Sequence, residues 1–306
     1  MRKKKNALII GANGQDGKYL TKLLLKNNYK IYVLFNRNRT KIDKKLFELK
    51  LNLNHNLKIQ KFLRKFNHLE IYYFPSINID SNQIENNEVF IKNFDLNFVK
   101  LNNLLYSITK IKNKKNIKLF YSSSSHIFKG SKIKGKQSEE TNYLTNTFYG
   151  FSKLCGLRLC EFYREKFKIF VSVGILYSHF SKYTSENFII PKIYKQLKKY
   201  DSINILNENA NLDFLHPSQV VRIIYKIINL KRPHTVIISS GKKIKINKIC
   251  ITLGKLLKKK KIKIISKKRK VSSYELVGNI SKLKKLIKIN NYDLSLRKNL
   301  SDFIYE

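Results

Sequence analysis

The segment Ala7-Leu-Ile-Ile-Gly-Ala-Asn-Gly-Gln-Asp-Gly17 joins a short apolar run to three glycines spaced three residues apart. Such a run is typical of a strand buried in a parallel sheet. The glycines allow a tight turn, let the backbone approach a pyrophosphate, and let the following helix pack closely on the strand. The N-terminus of that helix adds N–H groups and a positive dipole. The segment therefore predicts a dinucleotide-binding turn, with a purely structural glycine turn as the alternative. The cofactor contacts predicted here are Gly11, Asn13, Gly14, Gln15, Asp16 and Gly17.

The residues after this turn alternate between helix-like and strand-like patterns. Helices are predicted at 14–27, 57–66 and 95–111, and strands at 30–35, 70–74 and 118–122. This alternation is typical of an α/β fold with a doubly wound parallel sheet, which binds ligands at the carboxyl ends of its strands. We predict a Rossmann domain over residues 1–173. Shorter elements then predict a smaller C-terminal α/β substrate-binding domain over residues 174–306, with some segments interleaved with the first domain.

The net charge of the chain suggests a nucleic acid or an anionic surface as partner, but the amino-acid composition argues against this. Sixty-three Lys and Arg against twenty Asp and Glu give a formal net charge of +43, as in proteins that bind nucleic acid or anionic surfaces. Only ten of the basic residues are Arg, Trp is absent, and Ala and Pro are rare. Drift in an AT-rich genome produces this composition, whereas nucleic-acid binding calls for organised Arg and interleaved aromatic residues. We expect no specific nucleic-acid partner. The most basic tract, Lys255 to Lys270, is interpreted as a solvated edge strand or a phosphate-binding patch.

Other bulk features exclude further classes of protein. The three cysteines are widely spaced and odd in number, so neither a disulfide framework nor a metal site is indicated. No run of about 18 apolar residues is present, so no membrane-spanning helix is predicted. We expect a cytoplasmic protein.

Two later motifs carry chemistry. Tyr149 and Lys153 are spaced i, i+4, which places them on one helical face, where a nearby ammonium favours the phenolate and prepares Tyr149 to act as a base. The serine cluster Ser122 to Ser125, at the end of a predicted strand, offers hydroxyls to the same substrate oxygen. At the end of the second strand no acid is present to hold a ribose hydroxyl, whereas Arg37 suits a 2′-phosphate, so NADP is favoured and NAD stays possible.

The order of these motifs resembles the extended short-chain dehydrogenase/reductase family, and within it the GDP-mannose 4,6-dehydratases. The narrower resemblance is carried by Gly14-Gln-Asp-Gly17, Gly174-Ile-Leu-Tyr-Ser-His179, Glu186 to Lys192, Leu212-Asp-Phe-Leu-His216 and Gly278-Asn-Ile-Ser-Lys282. It implies conversion of GDP-mannose to GDP-4-keto-6-deoxymannose by an internal NADP hydride cycle, in a homo-oligomer.

The resemblance also implies roles for single residues. Tyr149 takes the C4 hydroxyl proton, Lys153 lowers the pKa of Tyr149 and holds the nicotinamide ribose, and Ser124 binds O4. His179 contacts the cofactor. The residues implied to bind the nucleotide sugar are Ser178, Glu186, Lys192 and Arg269.

Several residues depart from the family pattern. His126 stands where the family has the Glu that removes the C5 proton; an imidazole can act as a general base near neutral pH. Asn52, Thr184, Ser178 and Leu212 replace an expected Asp, Arg, Asn and Arg, and Pro75-Ser76-Ile77 replaces Ala-Ala-Gln. A 4-reductase or 4-epimerase, which needs no C5 base, therefore stays open as an alternative, and an inactive nucleic-acid-binding protein is a remote one.

Overall fold

The computed structural model describes residues 4–34, 45–77, 86–129, 135–266 and 275–306. The strands are β1 (Asn6–Ile10), β2 (Lys30–Leu34), β3 (Leu46–Glu48), β4 (Leu69–Tyr73), β5 (Ile117–Ser124), β6 (Phe170–Leu176), β7 (Ser178–His179), β8 (Ser202–Ile205), β9 (Asn211–Leu212), β10 (Phe214–Leu215), β11 (Thr235–Ile238), β12 (Ile244–Lys245) and β13 (Lys263–Ser266). The helices are α1 (Gln15–Lys26), α2 (Asn56–Leu63), α3 (Asn87–Phe94), α4 (Lys100–Thr109), α5 (Phe148–Phe167), α6 (Ile189–Lys199), α7 (Pro217–Ile228), α8 (Ile246–Leu256), α9 (Ser281–Leu286) and α10 (Leu296–Tyr305).

Within the described residues, the central sheet has seven parallel strands in the order β11-β6-β5-β4-β1-β2-β3. β4 and β6 are buried along their whole length, because helices cover both faces of a doubly wound sheet. The strand order reverses at β1, which pairs with β2 on one side and β4 on the other. A crevice therefore forms at the carboxyl ends of β1 and β4. The predicted α/β fold with a doubly wound parallel sheet is confirmed.

Two elements extend beyond their predicted bounds. The helix predicted over 95–111 begins earlier, because Asn86 caps α3 by accepting a hydrogen bond from the Val89 N–H at 2.9 Å. A π-helical turn, Asp95–Val99, joins α3 to α4. β5 continues past Ser122 to Ser124, because the backbone of the serine cluster pairs with Gly174 to Leu176 of β6. Ser122, Ser123 and Ser124 are thus part of the sheet, Ser125 begins the following 3₁₀ turn, and all four serines are buried.

The buried apolar side chains form two clusters. The larger surrounds the central sheet and includes residues of α7, β11 and α9. The smaller cluster is formed by α6, β8, α8 and α10 with their neighbours. β13 pairs in parallel with β8, so part of the basic tract is a strand, while residues 267–274 lie outside the described residues. The boundary after residue 173 stays a prediction, and segments on both sides of it pack on the central sheet.

Candidate active site

The glycine turn holds α1 against β1. Gly11 has a φ of +87°, a conformation that favours glycine. A Cβ on Gly17 would lie 2.5 Å from the Gly11 carbonyl oxygen and 2.6 Å from the Ala12 Cα, so only glycine fits there. Gly14 precedes the first helical residue and donates its N–H to the Gly11 carbonyl at 3.1 Å. The close approach brings the N-terminus of α1 to the crevice, where it suits a dinucleotide pyrophosphate.

A cleft of about 450 Å³ opens at the carboxyl ends of β1, β4, β5 and β6, a size within the usual range of ligand sites. Its walls bring together the glycine turn, the serine cluster, the start of α5 and the segment after β6. The lining residues are Gly14, Gln15, Asp16, Gly17, Phe74, Ser76, Ser122, Ser123, Ser124, Ser125, His126, Tyr149, Lys153, Leu176, Tyr177, Ser178, His179, Phe180, Tyr183, Thr184, Ser185 and Phe188.

Tyr149 and Lys153 project from the first two turns of α5 into this cleft. Thr147 caps the helix by accepting a hydrogen bond from the Gly150 N–H at 3.0 Å. Lys153 is 2% exposed. Its Nζ donates to the Ser122 carbonyl at 2.9 Å and to the Pro75 carbonyl at 3.4 Å. The same Nζ lies 5.9 Å from the centre of the Tyr149 ring, so the ammonium and the phenol are close.

Burial changes the acidity of both groups. It lowers the pKa of Lys153 to about 7, against the opposing effect of the Asp16 carboxylate. Burial also raises the pKa of Tyr149; the hydroxyls of Ser76 and Ser124 lower it, Asp16 raises it, and the balance lies above the ordinary value. Lys153 is therefore only partly charged at neutral pH, and a Tyr149 phenolate depends on other donors near its oxygen.

His126 lies beside Tyr149 at the start of a 3₁₀ turn. The two ring centres are 5.3 Å apart with an edge-to-face arrangement at 87°. The His126 N–H donates to Ser124 Oγ at 3.3 Å, which ties the turn to the end of β5. Burial, with a smaller effect of Lys129, lowers the pKa of His126 to about 4. The imidazole is therefore neutral at physiological pH, the form that accepts a proton.

The segment Ser178 to Ser185, here called the strap, crosses the start of α1. Gln15 Oε1 accepts hydrogen bonds from Ser181 Oγ at 2.7 Å and Thr184 Oγ1 at 2.6 Å. Gln15 Nε2 donates to the His179 carbonyl at 3.2 Å. One amide side chain thus fastens the strap at three points, and the strap carries several of the lining residues.

Asp16 and His179 form a second link between α1 and the strap. His179 Nε2 lies 3.0 Å from Asp16 Oδ1 and 3.2 Å from Oδ2, while Nδ1 lies 2.7 Å from the Tyr177 carbonyl. Burial lowers the pKa of His179, but Asp16 and the carbonyl raise it, and the net shift is upward. Asp16 is the only carboxylate among the described residues that line the cleft, and it is engaged by this pair.

The structure brings together only part of the predicted site. The cleft is lined by Gly14 to Gly17, Ser124, His126, Tyr149, Lys153, Ser178 and His179. Gly11 and Asn13 belong to the glycine turn but are not among the residues that line the cleft. Glu186 and Lys192 are exposed and do not line the cleft, and Glu186 pairs with Lys195 instead. Arg37 and Arg269 lie outside the described residues. The roles of all these residues stay predictions.

Two residues that line the cleft, Ser76 and Thr184, were not predicted to have a role and only depart from the family pattern. Ser76 follows the end of β4 by three residues, and Thr184 lies on the strap. Ser76 had a usable signal, because polar residues just beyond the carboxyl end of a parallel strand face the ligand crevice. Thr184 had none, since its partner Gln15 is 169 residues away in the sequence.

The chain is similar to known proteins in sequence and in fold. A sequence profile described as GDP-mannose 4,6 dehydratase matches residues 8–292. The chain belongs to this family. It is 25% identical over 270 residues to GDP-mannose 4,6 dehydratase 2 of Caenorhabditis elegans, which covers 81% of this chain and 70% of the relative. It is 24% identical over 257 residues to GDP-mannose 4,6 dehydratase of Drosophila melanogaster, which covers 78% of this chain and 64% of the relative. The chain thus spans less than two thirds of the fly protein.

Solved structures with low sequence identity to this dehydratase family member share its fold. The UDP-N-acetylglucosamine 4-epimerase of Methanobrevibacter ruminantium M1, in complex with UDP-N-acetylmuramic acid, superposes with a TM-score of 0.80 at 17% identity and covers 99% of both chains. The dTDP-glucose 4,6-dehydratase of Bacillus anthracis, in complex with NAD, gives a TM-score of 0.77 at 16% identity over 98% of this chain and 96% of that one. The predicted membership of the extended short-chain dehydrogenase/reductases is confirmed. Among the described residues, no helix is both long and apolar enough to cross a membrane.

Proposed function

We propose that this protein is a nucleotide-sugar 4,6-dehydratase that converts GDP-mannose to GDP-4-keto-6-deoxymannose and water. The observation that carries the proposal is that the half-buried Tyr149 and the buried Lys153 share one cleft with the glycine turn, with Ser124 and His126 beside the phenol. The membership of the GDP-mannose 4,6 dehydratase family supports the choice of sugar.

The cofactor would lie against the glycine turn. The lack of room for a Cβ on Gly17 and the exposed N-terminus of α1 fit a dinucleotide pyrophosphate. A nicotinamide dinucleotide, NADP by the preference inferred from Arg37, supplies the reversible hydride acceptor that such a conversion needs. Gly14, Gln15 and Gly17 would hold it on one side and His179 on the other.

Side chains that line the cleft carry out the proton transfers of the dehydration. Tyr149 accepts the proton of the sugar C4 hydroxyl at its phenolic oxygen, and Ser124 donates a hydrogen bond to the sugar O4. Lys153 favours the phenolate electrostatically. His126 takes the C5 proton once a 4-ketone has made it acidic, and the C6 hydroxyl leaves as water with the proton that Tyr149 took from the C4 hydroxyl. When the hydride removed from C4 is restored at C6, His126 returns a proton, exchangeable with solvent, to C5. The product has lost one water in total and has been neither oxidised nor reduced overall.

A second candidate is a 4-epimerase or 4-reductase acting on a nucleotide sugar. One observation favours it: among the described residues, Asp16 is the only carboxylate that lines the cleft, and it is paired with His179. An imidazole whose pKa is lowered to about 4 is a weaker base than a carboxylate whose pKa is raised. Epimerases and reductases need no base at C5.

The two candidates are separated by the fate of the C5 hydrogen. The protein with NADP and GDP-mannose is incubated in D₂O, and the product is examined by NMR. We expect a 4-keto-6-deoxy sugar with deuterium at C5. His126→Ala should lower the rate about 10²- to 10⁴-fold, the usual contribution of a general base, while His55→Ala, at an exposed position, serves as the matched control.

Three results would contradict this assignment. A C4 epimer or a 4-hydroxy product without C5 deuterium would establish the second candidate. Unchanged dehydration by His126→Ala would remove His126 from the mechanism. Absence of any product from GDP-mannose and other hexose nucleotides would overturn the enzyme assignment.

A further inference from the structure

Ser76 lies in the cleft with its hydroxyl oxygen buried and with no partner at full hydrogen-bond geometry, yet near enough to the Tyr149 phenol to lower its pKa. Buried hydroxyls without partners are rare in proteins, because the loss of hydration is then uncompensated. The residue follows β4 and lines the same cleft as Tyr149 and Lys153. Such a group is expected to serve a partner that forms during function.

The backbone on both sides of Ser76 is fixed. On one side, the Pro75 carbonyl accepts from Lys153 Nζ at 3.4 Å. On the other side, the buried Asn93 side chain accepts from the Ile77 N–H at 2.9 Å and donates to the Ile77 carbonyl at 3.0 Å. Asn93 is 1% exposed, so the position of Ser76 is set from the interior of the protein.

The same buried network reaches the helix that carries Tyr149. Asn97 Nδ2 donates to the Asn93 carbonyl at 2.9 Å and to Ser152 Oγ at 3.4 Å. Ser152 Oγ in turn donates to the Tyr149 carbonyl at 2.9 Å. The loop bearing Ser76 and the turn bearing Tyr149 are therefore held relative to each other by one chain of hydrogen bonds.

The chemistry of the cleft gives this hydroxyl a role. Lys153 has a pKa lowered to about 7 by burial, so its help to a phenolate is reduced at neutral pH. Hydrogen bonds to a charged acceptor are worth roughly twice those to a neutral one. A second hydroxyl near the phenol, besides that of Ser124, would replace part of the missing ammonium charge.

We propose that Ser76 is a further catalytic residue, whose hydroxyl donates a hydrogen bond to the Tyr149 oxygen when Tyr149 is a phenolate. The inference rests on the proposed function only for the role of Tyr149 as the base. With the single hydroxyl proton of Ser124 donated to the sugar O4, Ser76 is the serine that donates to the Tyr149 oxygen. This chain differs here from the family pattern, in which an alanine occupies the position of Ser76.

The test follows the titration of Tyr149 itself, without cofactor or substrate. The full chain is labelled with 3-fluorotyrosine, whose phenol titrates at lower pH than that of tyrosine, and the Tyr149 resonance is identified by its loss in Tyr149→Phe. By ¹⁹F NMR we expect Ser76→Ala to raise the titration midpoint of Tyr149 by about one pH unit. Ser76→Thr keeps the hydroxyl and should restore the midpoint, and Ser107→Ala, a buried serine on α4, should leave it unchanged.

Turnover provides an independent second reading. If the proposed function holds, the acid limb of the plot of kcat against pH shifts to higher pH in Ser76→Ala, while KM changes little. An unchanged Tyr149 midpoint in Ser76→Ala, or failure of Ser76→Thr to restore it, would overturn the inference. A shifted midpoint in a protein that turns over no nucleotide sugar would leave the inference standing and remove the proposed function instead.

Discussion

At the scale of single residues, Lys153 links function to stability. The amine is buried and its pKa is lowered from 10.5 to about 7. Between these two values the unfolded chain binds a proton that the folded chain does not, so the contribution of Lys153 to stability rises with pH across this window. Below pH 7 both states are protonated and the full cost of burying the charge is present.

This linkage predicts how Lys153→Met changes the pH dependence of unfolding. The free energy of unfolding of the wild type relative to that of the variant should increase by about 2 kcal/mol between pH 7 and pH 9. Urea denaturation at the two pH values measures the difference, with Lys248→Met, at an exposed position on α8, as the control. If the difference in free energy of unfolding between the wild type and Lys153→Met stays constant or decreases from pH 7 to pH 9, Lys153 is fully charged in the folded protein.

Residue-scale chemistry was predictable from the sequence where it depends on local spacing. Tyr149 and Lys153 share a helical face because they are four residues apart, and the structure places both in the cleft. The hydroxyl of Ser76 was not assigned a role, because its orientation depends on contacts of Pro75 and Ile77 with residues distant in the sequence. Side-chain placement of this kind follows from packing and not from periodicity.

At the scale of elements, the packing of α1 on β1 depends more on Gly17 than on Gly14. A Cβ on Gly17 would meet the backbone at 2.5 Å, whereas one on Gly14 would meet only the Gly11 carbonyl oxygen, at 3.3 Å. We expect Gly17→Ala to lower the free energy of unfolding by about 1 to 3 kcal/mol, the usual cost of overpacking, and to weaken binding of the nicotinamide cofactor.

Gly14→Ala is the matched control for this prediction, because its added methyl meets a single atom at a distance that a small shift relieves. Urea denaturation should rank the two variants in this order, whereas cofactor binding is compared between Gly17→Ala and the wild type, because Gly14 itself lines the cleft. Equal effects of the two substitutions would mean that the turn tolerates a Cβ at Gly17 by moving α1.

The strap provides a second test at this scale. Replacing Gln15 by Met keeps the size of the side chain but removes three hydrogen bonds to the strap. We expect hydrogen exchange of residues 179–185 to accelerate by roughly tenfold or more, with little change in the protection of β4 and β5.

Thr184→Val removes one of the donors to Gln15 and should give an intermediate acceleration. If hydrogen exchange of the strap is as slow in Gln15→Met as in the wild type, the pair of Asp16 and His179 is sufficient to hold the strap in place. Periodicity predicted β1, α1, β2, β4 and β5 but not β3 or β6. The strap could not be predicted because it is fixed by contacts between residues 164 to 169 positions apart.

At the scale of the whole molecule, the cleft is a product of topology. β1, β4, β5 and β6 are separated in the sequence but adjacent in the sheet, so their carboxyl ends collect residues from four parts of the chain. The alternation of elements was sufficient to predict this crevice. It was not sufficient to predict that α7 and β11, which come after residue 173, pack on the first core while α6, α8 and α10 form a second one.

The net charge of +43 also acts on the molecule as a whole. Self-repulsion of a highly charged chain opposes the compact state, and the twenty acidic residues can pair with only a minority of the cations. Salt should therefore stabilise this protein, in contrast to a protein held together by surface ion pairs. Because the Debye length falls to about 8 Å at physiological ionic strength, most of the gain should be complete by about 0.2 M NaCl.

The midpoint of urea denaturation, measured from low to moderate NaCl, tests this expectation. Replacing the exposed Lys255, Lys260 and Lys261 by Gln lowers the repulsion within the basic tract, so the variant should be more stable than the wild type at low salt and should gain less from added salt. A midpoint that falls with salt would show that the few ion pairs outweigh the repulsion. A gain that continues linearly well beyond 0.2 M would point to strengthened apolar burial, which salts also cause, as the source of the effect.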